Sequence, residues 1–211
     1  MKWDTVLEIL SNQGLMLLKE HLILVGISLS IAIIIALPLG ILLTRPPFKK
    51  WLNKILSFLN TAQGVPSLAV VAIFLPIMGV GFKPSIIALT LYGLLPIVRN
   101  TIAGINDVDP DILEAAKGMG MDNRLILRKV ELPLALPIIM ADIQTSAVLT
   151  VGTATIAVLI GGGGLGNLIF RGISTFNPAL ILTGSLITAA IAIILDQTIG
   201  YIQKGLSPYN K

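Results

Sequence analysis

The stretch "EAAKGMGMDNRLILRKVELPL", residues 114–134, differs from the sequence on either side of it. Ten of the 25 residues from 107 to 131 are charged, although the whole chain of 211 residues has only 15 basic and 11 acidic residues. The flanking segments are largely apolar. Charge this concentrated in an otherwise apolar chain predicts a polar loop that leaves a membrane near the middle of the sequence.

The composition is that of a membrane protein. Hydrophobic residues make up 55% of the chain and charged residues 12%, about half the charged fraction of a typical soluble domain. There is no cysteine and only one histidine, His21, which excludes disulfides, cysteine-based metal sites and motifs that need two histidines. The net charge of +4 is better explained by membrane topology than by nucleic-acid binding.

Five segments are long and apolar enough to cross a bilayer, which takes about 20 residues. The second is interrupted by "NTAQGVPS" (60–67), and the fourth begins with Pro133 and Pro137. Prolines are tolerated in a membrane where neighbouring helices satisfy the freed backbone groups. We therefore expect an all-α fold in one domain over residues 20–200, with spans at about 22–44, 56–79, 85–105, 134–160 and 179–200.

The positive charges predict the orientation. With the N-terminus outside, 11 Lys and Arg residues lie inside and 4 outside. The positive-inside rule therefore predicts an N-out, C-in topology. The amphipathic segment 1–20, with Trp3, is expected to be extracytoplasmic or interfacial. Loop 106–132 and tail 201–211 are expected in the cytoplasm.

The polar loop carries the signals of a short helix. Asp109 is a good N-cap, and Pro110 suits the first helical position. Gly118 and Gly120 can end this helix, and Asp122 or Asn123 can cap a second one that Pro133 ends or passes on to the fourth span.

One face of this short helix is small and moderately apolar, because Ile112, Ala115, Ala116 and Met119 follow helical spacing. Such a face suits a groove on another protein. The alternative is an ordinary loop that contains a short capped helix.

"EAAKGMG" at 114–120, followed nine residues later by "VELP" at 130–133, resembles the EAA signature of ABC importer permeases, with Val130 in place of the usual Ile. The resemblance implies that this helix docks into a cleft on a cytoplasmic ATPase dimer. Glu114, Ala115, Ala116 and Gly120 would be the docking positions, with Ile112 and Met119 on the same helix.

Four further stretches, at 65–81, 94–105, 131–148 and 160–173, resemble osmoprotectant permeases, which import glycine betaine, carnitine or choline across the prokaryotic cytoplasmic membrane. This resemblance implies two permease subunits, identical or sister chains, an ATPase pair and an extracytoplasmic binding protein. ATP and Mg²⁺ would bind to the ATPase. The chain has no G-x-x-x-x-G-K-[ST] loop, and we expect no cofactor, metal or catalytic residue on it.

Polar residues within the spans are candidates for a translocation pathway. Gln63 and Ser67 flank the break in the second span and either line a polar path or pack against neighbours. Asp142 lies well inside the fourth predicted span, where a charge is usually functional or paired. It either attracts a cationic substrate or lies near the cytoplasmic end, hydrogen-bonded or hydrated.

The glycine run at 161–164 follows the fourth span at its predicted outer end. It is either a flexible turn or a loop in which Gly162, Gly163 and Gly164 contact the binding protein and allow an outer gate to move. Arg171, one of few external positive charges, could pair with an acidic partner or a lipid phosphate.

Three other functions are considered. A permease for methionine or another amino acid would share the five spans and the signature. An ATPase-independent secondary transporter would predict inverted repeats or several embedded charges, and the sequence shows neither. One histidine and no cysteine leave little chemistry for an intramembrane enzyme.

Overall fold

A computed structural model describes residues 13–46 and 48–206 of the chain. The predictions made for Trp3 and the rest of residues 1–12, and for residues 207–211 of the tail, lie outside the described residues. Within that part of the chain, every regular element is helical, which confirms the all-α prediction. The helices are α1 (Leu15–Leu43), α2 (Leu52–Gln63), α3 (Ser67–Met78), α4 (Phe82–Asn106), α5 (Pro110–Gly118), α6 (Asn123–Ile126), α7 (Leu132–Ile156), α8 (Gly166–Ser174) and α9 (Pro178–Leu206).

The predicted spans correspond to four straight segments and one bent pair. Helices α1, α4 and α9 are each long and apolar enough to cross a membrane, as is the continuous segment Asn123–Ile160. Helix α1 begins at Leu15, so residues 15–20 of the segment predicted to be extracytoplasmic or interfacial are continuous with the helix of the first span. Their apolar leucines extend the helix by almost two turns.

The second span is broken. The segments Phe48–Gln63 and Ser67–Met78 meet at an angle of 93°. Pro66 has extended backbone angles (φ −54°, ψ 134°) and precedes the first residue of α3. A proline also disfavours helical geometry in the residue before it, here Val65. The predicted interruption at 60–67 is therefore confirmed as a sharp bend.

One continuous helical segment runs for 38 residues from Asn123 to Ile160, so the second short helix is passed on to the fourth span at Pro133, one of the two predicted outcomes. Asp122 caps it by accepting a hydrogen bond from the backbone N–H of Leu125 (2.7 Å). A π-helical turn at Leu127–Glu131 precedes Pro133 and carries the helix past it. A wider turn of this kind is a common way for a helix to accommodate an interruption.

Small residues allow the long helices to pack closely. Helix α1 packs against α4, which in turn packs against α7. Ala32 and Ala36 of α1 are fully buried. A Cβ added at Gly40 would lie 3.2 Å from the carbonyl oxygen of Val98, and one at Gly104 would lie 3.3 Å from that of Ala135. Such contacts are typical of helix interfaces in membranes, where close van der Waals packing drives association.

Candidate coupling helix and polar face

Helix α5 is defined at both ends by its own residues. The Asp109 carboxylate accepts a hydrogen bond from the backbone N–H of Asp111 (2.8 Å), as the sequence predicted for an N-cap. At the other end the N–H of Met121 donates to the carbonyl of Ala116 (3.2 Å), and Gly120 adopts φ +80°. This is a Schellman ending, in which glycine occupies the left-handed position. The helix therefore ends at a fixed place and direction.

The candidate docking residues of α5 do not all face the same way. Met119 is 74% exposed, and Ile112, Glu114 and Ala115 are exposed as well. Ala116, predicted to share their free face, is only 1% exposed because it lies against the rest of the chain. The structure therefore separates Ala116, a packing residue, from the exposed residues, of which Ile112, Ala115 and Met119 form a free face and Glu114 points to another side.

An ion pair joins the region after α5 to the end of α1. Arg45 donates to both carboxylate oxygens of Glu131, with Nη1 to Oε1 at 3.1 Å. Glu131 lies in the π-helical turn and is buried. A cleft of about 480 Å³, lined by Lys49 and Lys117 among others, separates α1 from α5 at this point. Sequence reasoning did not predict the pair, because 86 residues separate its partners.

Gln63 and Asp142, two of the predicted pathway residues, lie near the same arginine. The Nη1 atom of Arg99 donates to the side-chain oxygen of Gln63 at 3.2 Å. The close approach of Gly104 to Ile138 and of Gly93 to Thr150 brings Asp142 of α7 to the level of Arg99 and Asn100 of α4. Ser67, the third candidate, opens α3 on the other side of the bend and is half-buried. The structure thus forms a polar cluster around Arg99.

Helices α7 and α9 are joined by polar contacts that the sequence did not indicate. The Gln144 amide donates to the Asp196 carboxylate at 2.7 Å, and Gln203 donates to the carbonyl of Pro137 at 3.0 Å. These residues, with Tyr201, border a groove of about 580 Å³. Gln144 and Asp196 satisfy each other, which explains how both are accommodated in apolar helices.

The glycine run is a packed turn against the start of α1. The N–H of Gly164 donates to the Glu20 carboxylate at 2.9 Å. A Cβ added at Gly164 would lie 3.0 Å from Nδ1 of His21, which is fully buried. Gly162 is also buried, whereas Arg171 on α8 is exposed. Nothing in the sequence marked Glu20 or His21 as partners of this run.

The positive φ angles in the glycine run explain why glycine occupies these positions. Gly161, Gly163 and Gly164 have φ values of +79°, +76° and +80°. Residues that carry a side chain rarely adopt these positive φ values, so the turn itself requires glycine. Because Gly162 and Gly164 are covered by the chain, the prediction that the run contacts a binding protein now concerns its exposed neighbours. Gly161 and Arg171 are exposed, and Gly163 is half-buried.

Comparison with known proteins identifies the family. The family described as "Binding-protein-dependent transport system inner membrane component" matches residues 36–208. The glycine betaine/carnitine/choline transport system permease protein OpuCB of Bacillus subtilis is 44% identical over 200 residues, covering 94% of this chain and 91% of that protein. The osmoprotectant import permease protein OsmY of Salmonella typhimurium is 40% identical, covering 98% of this chain and 89% of that protein.

The fold also matches solved transporters. An inward-facing MetNI methionine ABC transporter covers 89% of this chain and 93% of its own, with a TM-score of 0.80 and 22% identity. At this identity the match shows the fold alone. The chain belongs to the family of binding-protein-dependent transport system inner membrane components and is a multi-pass membrane subunit of an ABC importer.

Proposed function

We propose that this chain, a permease subunit of a binding-protein-dependent importer, translocates a quaternary ammonium osmoprotectant: glycine betaine, carnitine or choline. The observation that carries the proposal is the similarity to permeases named for these compounds, at 44% and 42% identity over 94% of the chain. The methionine transporter shares the fold at only 22% identity. That difference favours the osmoprotectant function over the amino-acid alternative.

The free face of α5 is proposed to dock on a cytoplasmic ATPase. Ile112, Ala115 and Met119 form that face, Glu114 is exposed beside it, and Gly120 sets the direction in which the chain leaves the helix. ATP and Mg²⁺ would bind to the ATPase pair. The orientation that places α5 in the cytoplasm is the N-out, C-in topology that the positive charges predict. The family domain over 20–200 would pair with a second permease, identical or a sister chain.

Movement of α5 would reach the spans by two routes. The first is the Arg45–Glu131 ion pair, which links the segment after α5 to the end of α1. The second is the continuous helical segment Asn123–Ile160, which extends from the docking region to the glycine run and includes the π-helical turn. A continuous helix transmits displacement along its length, since its backbone hydrogen bonds resist bending. ATP-driven closure could then open one end of the pathway as it closes the other.

The extracytoplasmic binding protein is proposed to contact the end that carries α8. Arg171 is exposed there and supplies a positive charge. Such a charge at the rim of an interface changes the rate of association more than the final affinity. Neutralising Arg171 should therefore slow delivery of substrate mainly at low ionic strength.

Reconstitution tests the proposed substrate class. The chain, its ATPase and its binding protein would be placed in liposomes, and uptake of labelled glycine betaine, carnitine, choline and methionine measured with and without ATP. We expect ATP-dependent uptake of at least one quaternary ammonium compound and none of methionine. Uptake of methionine alone, or uptake without the ATPase, would contradict the proposal.

A further inference from the structure

The packing of α4 against α7 fixes which residues face each other. A Cβ at Gly104 would lie 3.3 Å from Cβ of Ile138, and one at Gly93 would lie 3.2 Å from the hydroxyl of Thr150. As residue numbers increase along α7, the numbers of the facing residues on α4 decrease, so the two helices are antiparallel. This register places Asn100 opposite Asp142, and Arg99 next to that pair.

Arg99 lies on a free side of the molecule. It shares the exposed face of α4 with Leu91 and Ala103, and the exposed residues of α7 include Thr145 and Gly152. Arg99 lies seven residues before Asn106, the end of α4, which corresponds to about 10 Å along the helix. A charge at this depth avoids lipid and faces protein or a water-filled space.

The exposed side of α1 is different in character. Its exposed large residues are isoleucine, leucine and methionine, including Ile27, Ile34 and Leu42. Such a surface suits contact with lipid chains. The α4 and α7 side also exposes Leu91 and Leu149, so Arg99 is the feature that distinguishes it as a candidate for the substrate path.

Arg99 and Asp142 are close to each other without neutralising each other. The one ion pair within 4.0 Å found among residues 13–46 and 48–206 is Arg45–Glu131. Arg99 instead donates to Gln63, an uncharged partner. Asp142 lies beside Asn100, also uncharged. A positive and a negative group thus lie at the same level of α4 and α7, each next to an uncharged partner, with Arg99 exposed and Asp142 half-buried.

We propose that Arg99 and Asp142 form a dipolar site for a zwitterionic substrate on its way through the membrane. Arg99 binds the substrate carboxylate, and Asp142 faces the trimethylammonium group. This inference rests on the proposed function and adds the residues that distinguish one substrate from another. A guanidinium fork matches the geometry of a carboxylate. Quaternary nitrogen has no N–H, so charge and shape alone attract it to Asp142.

The site predicts a difference between substrates. Glycine betaine and carnitine carry both a carboxylate and a quaternary ammonium, whereas choline carries only the cation and a hydroxyl. Arg99 therefore assists the first two and contributes nothing to choline. Asp142 assists all three.

Uptake by the reconstituted transporter with Arg99→Gln tests this difference. We expect glycine betaine uptake to fall about tenfold, since charged hydrogen bonds contribute on that scale, and choline uptake to stay within about twofold. Asp142→Asn should lower both. Lys54→Gln, which removes an exposed positive charge on α2, is the matched control and should change neither. Equal losses for both substrates in Arg99→Gln, or no loss, would overturn the proposal.

Cysteine labelling tests the site without relying on transport, because the chain has no cysteine of its own. Arg99→Cys and Asp142→Cys would be labelled in the assembled transporter with methanethiosulfonates that carry a trimethylammonium or a sulfonate group. Arg99→Cys should react at least about threefold faster with the cation, and Asp142→Cys with the anion. Adding Asp142→Asn to Arg99→Cys should remove the preference.

The two experiments separate the dipolar site from the proposed function. If the wild type imports none of the three compounds, the proposed function fails, and the labelling rates still decide whether the site exists. If uptake occurs but both cysteines react equally with the two reagents, or Arg99→Cys reacts with neither, the dipolar site is wrong while the proposed function stands.

Discussion

The α5 end and the glycine-run end of this chain both depend on glycine, but for different physical reasons. At the α5 end, a Cβ added at Gly118 or Gly120 would meet nothing within 4 Å, and only the φ of +80° at Gly120 requires glycine. At the other end, Gly162, Gly164 and Gly166 would each meet neighbouring atoms at 3.0 Å or less. One end is shaped by local backbone geometry and is free to meet a partner. The other is held by close tertiary packing.

This difference suggests how the two ends contribute to transport. A helix that is capped by its own residues and exposed on one face can bind a partner without reorganising the spans. A turn that is packed against α1 responds only when the spans themselves move. We therefore expect substitutions at the glycine run to affect stability first, and substitutions at α5 to affect coupling first.

The largest effect should come from Gly166→Ala. A Cβ at this position would lie 2.9 Å from the carbonyl carbon of Thr155 and 3.1 Å from its Cα, both backbone atoms that cannot swing aside. We expect a loss of about 3 kcal/mol of stability, measured as thermal unfolding of the purified protein. Gly152→Ala is the matched control, because a Cβ there meets nothing within 4 Å, and it should unfold at or slightly above the wild-type temperature. Equal behaviour of the two variants would contradict the packing account.

A smaller effect is expected where the two ends are linked, at the Arg45–Glu131 ion pair. Arg45→Met leaves the buried Glu131 carboxylate without its partner and should destabilise the protein by about 2 kcal/mol. Adding Glu131→Leu should restore most of the stability, because an apolar pair can replace an ion pair at little cost. ATP-dependent uptake should remain low in the double variant, since the directional link between α1 and the segment after α5 is gone. Full uptake in the double variant would show that the link is structural only.

The smallest change in stability should come from the α5 end itself. Gly120→Ala forces a side chain into left-handed geometry, which costs about 1 to 2 kcal/mol, whereas Gly118→Ala adds the same methyl group at a helical position. We expect Gly120→Ala to lower ATP-dependent uptake about tenfold with little change in the unfolding temperature of the spans. Gly118→Ala should transport normally. If both lose uptake equally, the added methyl group and not the backbone angle is responsible.

The same contrast explains how far the sequence could predict the structure. The break at Pro66, the cap at Asp109 and the glycine ending at Gly120 depend on neighbouring residues, and all were predicted correctly. The sequence left open whether Pro133 ends the helix capped by Asp122 or passes it on to the fourth span, and a π-helical turn before Pro133 passes it on. Pattern rules treat such a proline as a boundary.

The contacts that depend on distant residues were not predictable. Glu20 and Gly164 are 144 residues apart, and Gln144 and Asp196 are 52 apart. No local pattern records which helices become neighbours. The burial of Ala116 has the same origin, since helical spacing placed it with Ile112 and Met119 but could not show which side the rest of the chain covers.

Cysteine protection at the two ends tests the central proposal, that α5 and not the opposite end docks on the ATPase. Met119 is 74% exposed on α5, and Phe176, 93% exposed between α8 and α9, serves as the control. The rate of maleimide labelling would be measured for Met119→Cys and Phe176→Cys with and without the ATPase. We expect the ATPase to slow labelling of Met119→Cys at least about tenfold and to leave Phe176→Cys unchanged. Unchanged labelling of Met119→Cys in a complex that hydrolyses ATP, or protection of Phe176→Cys instead, would contradict the proposal.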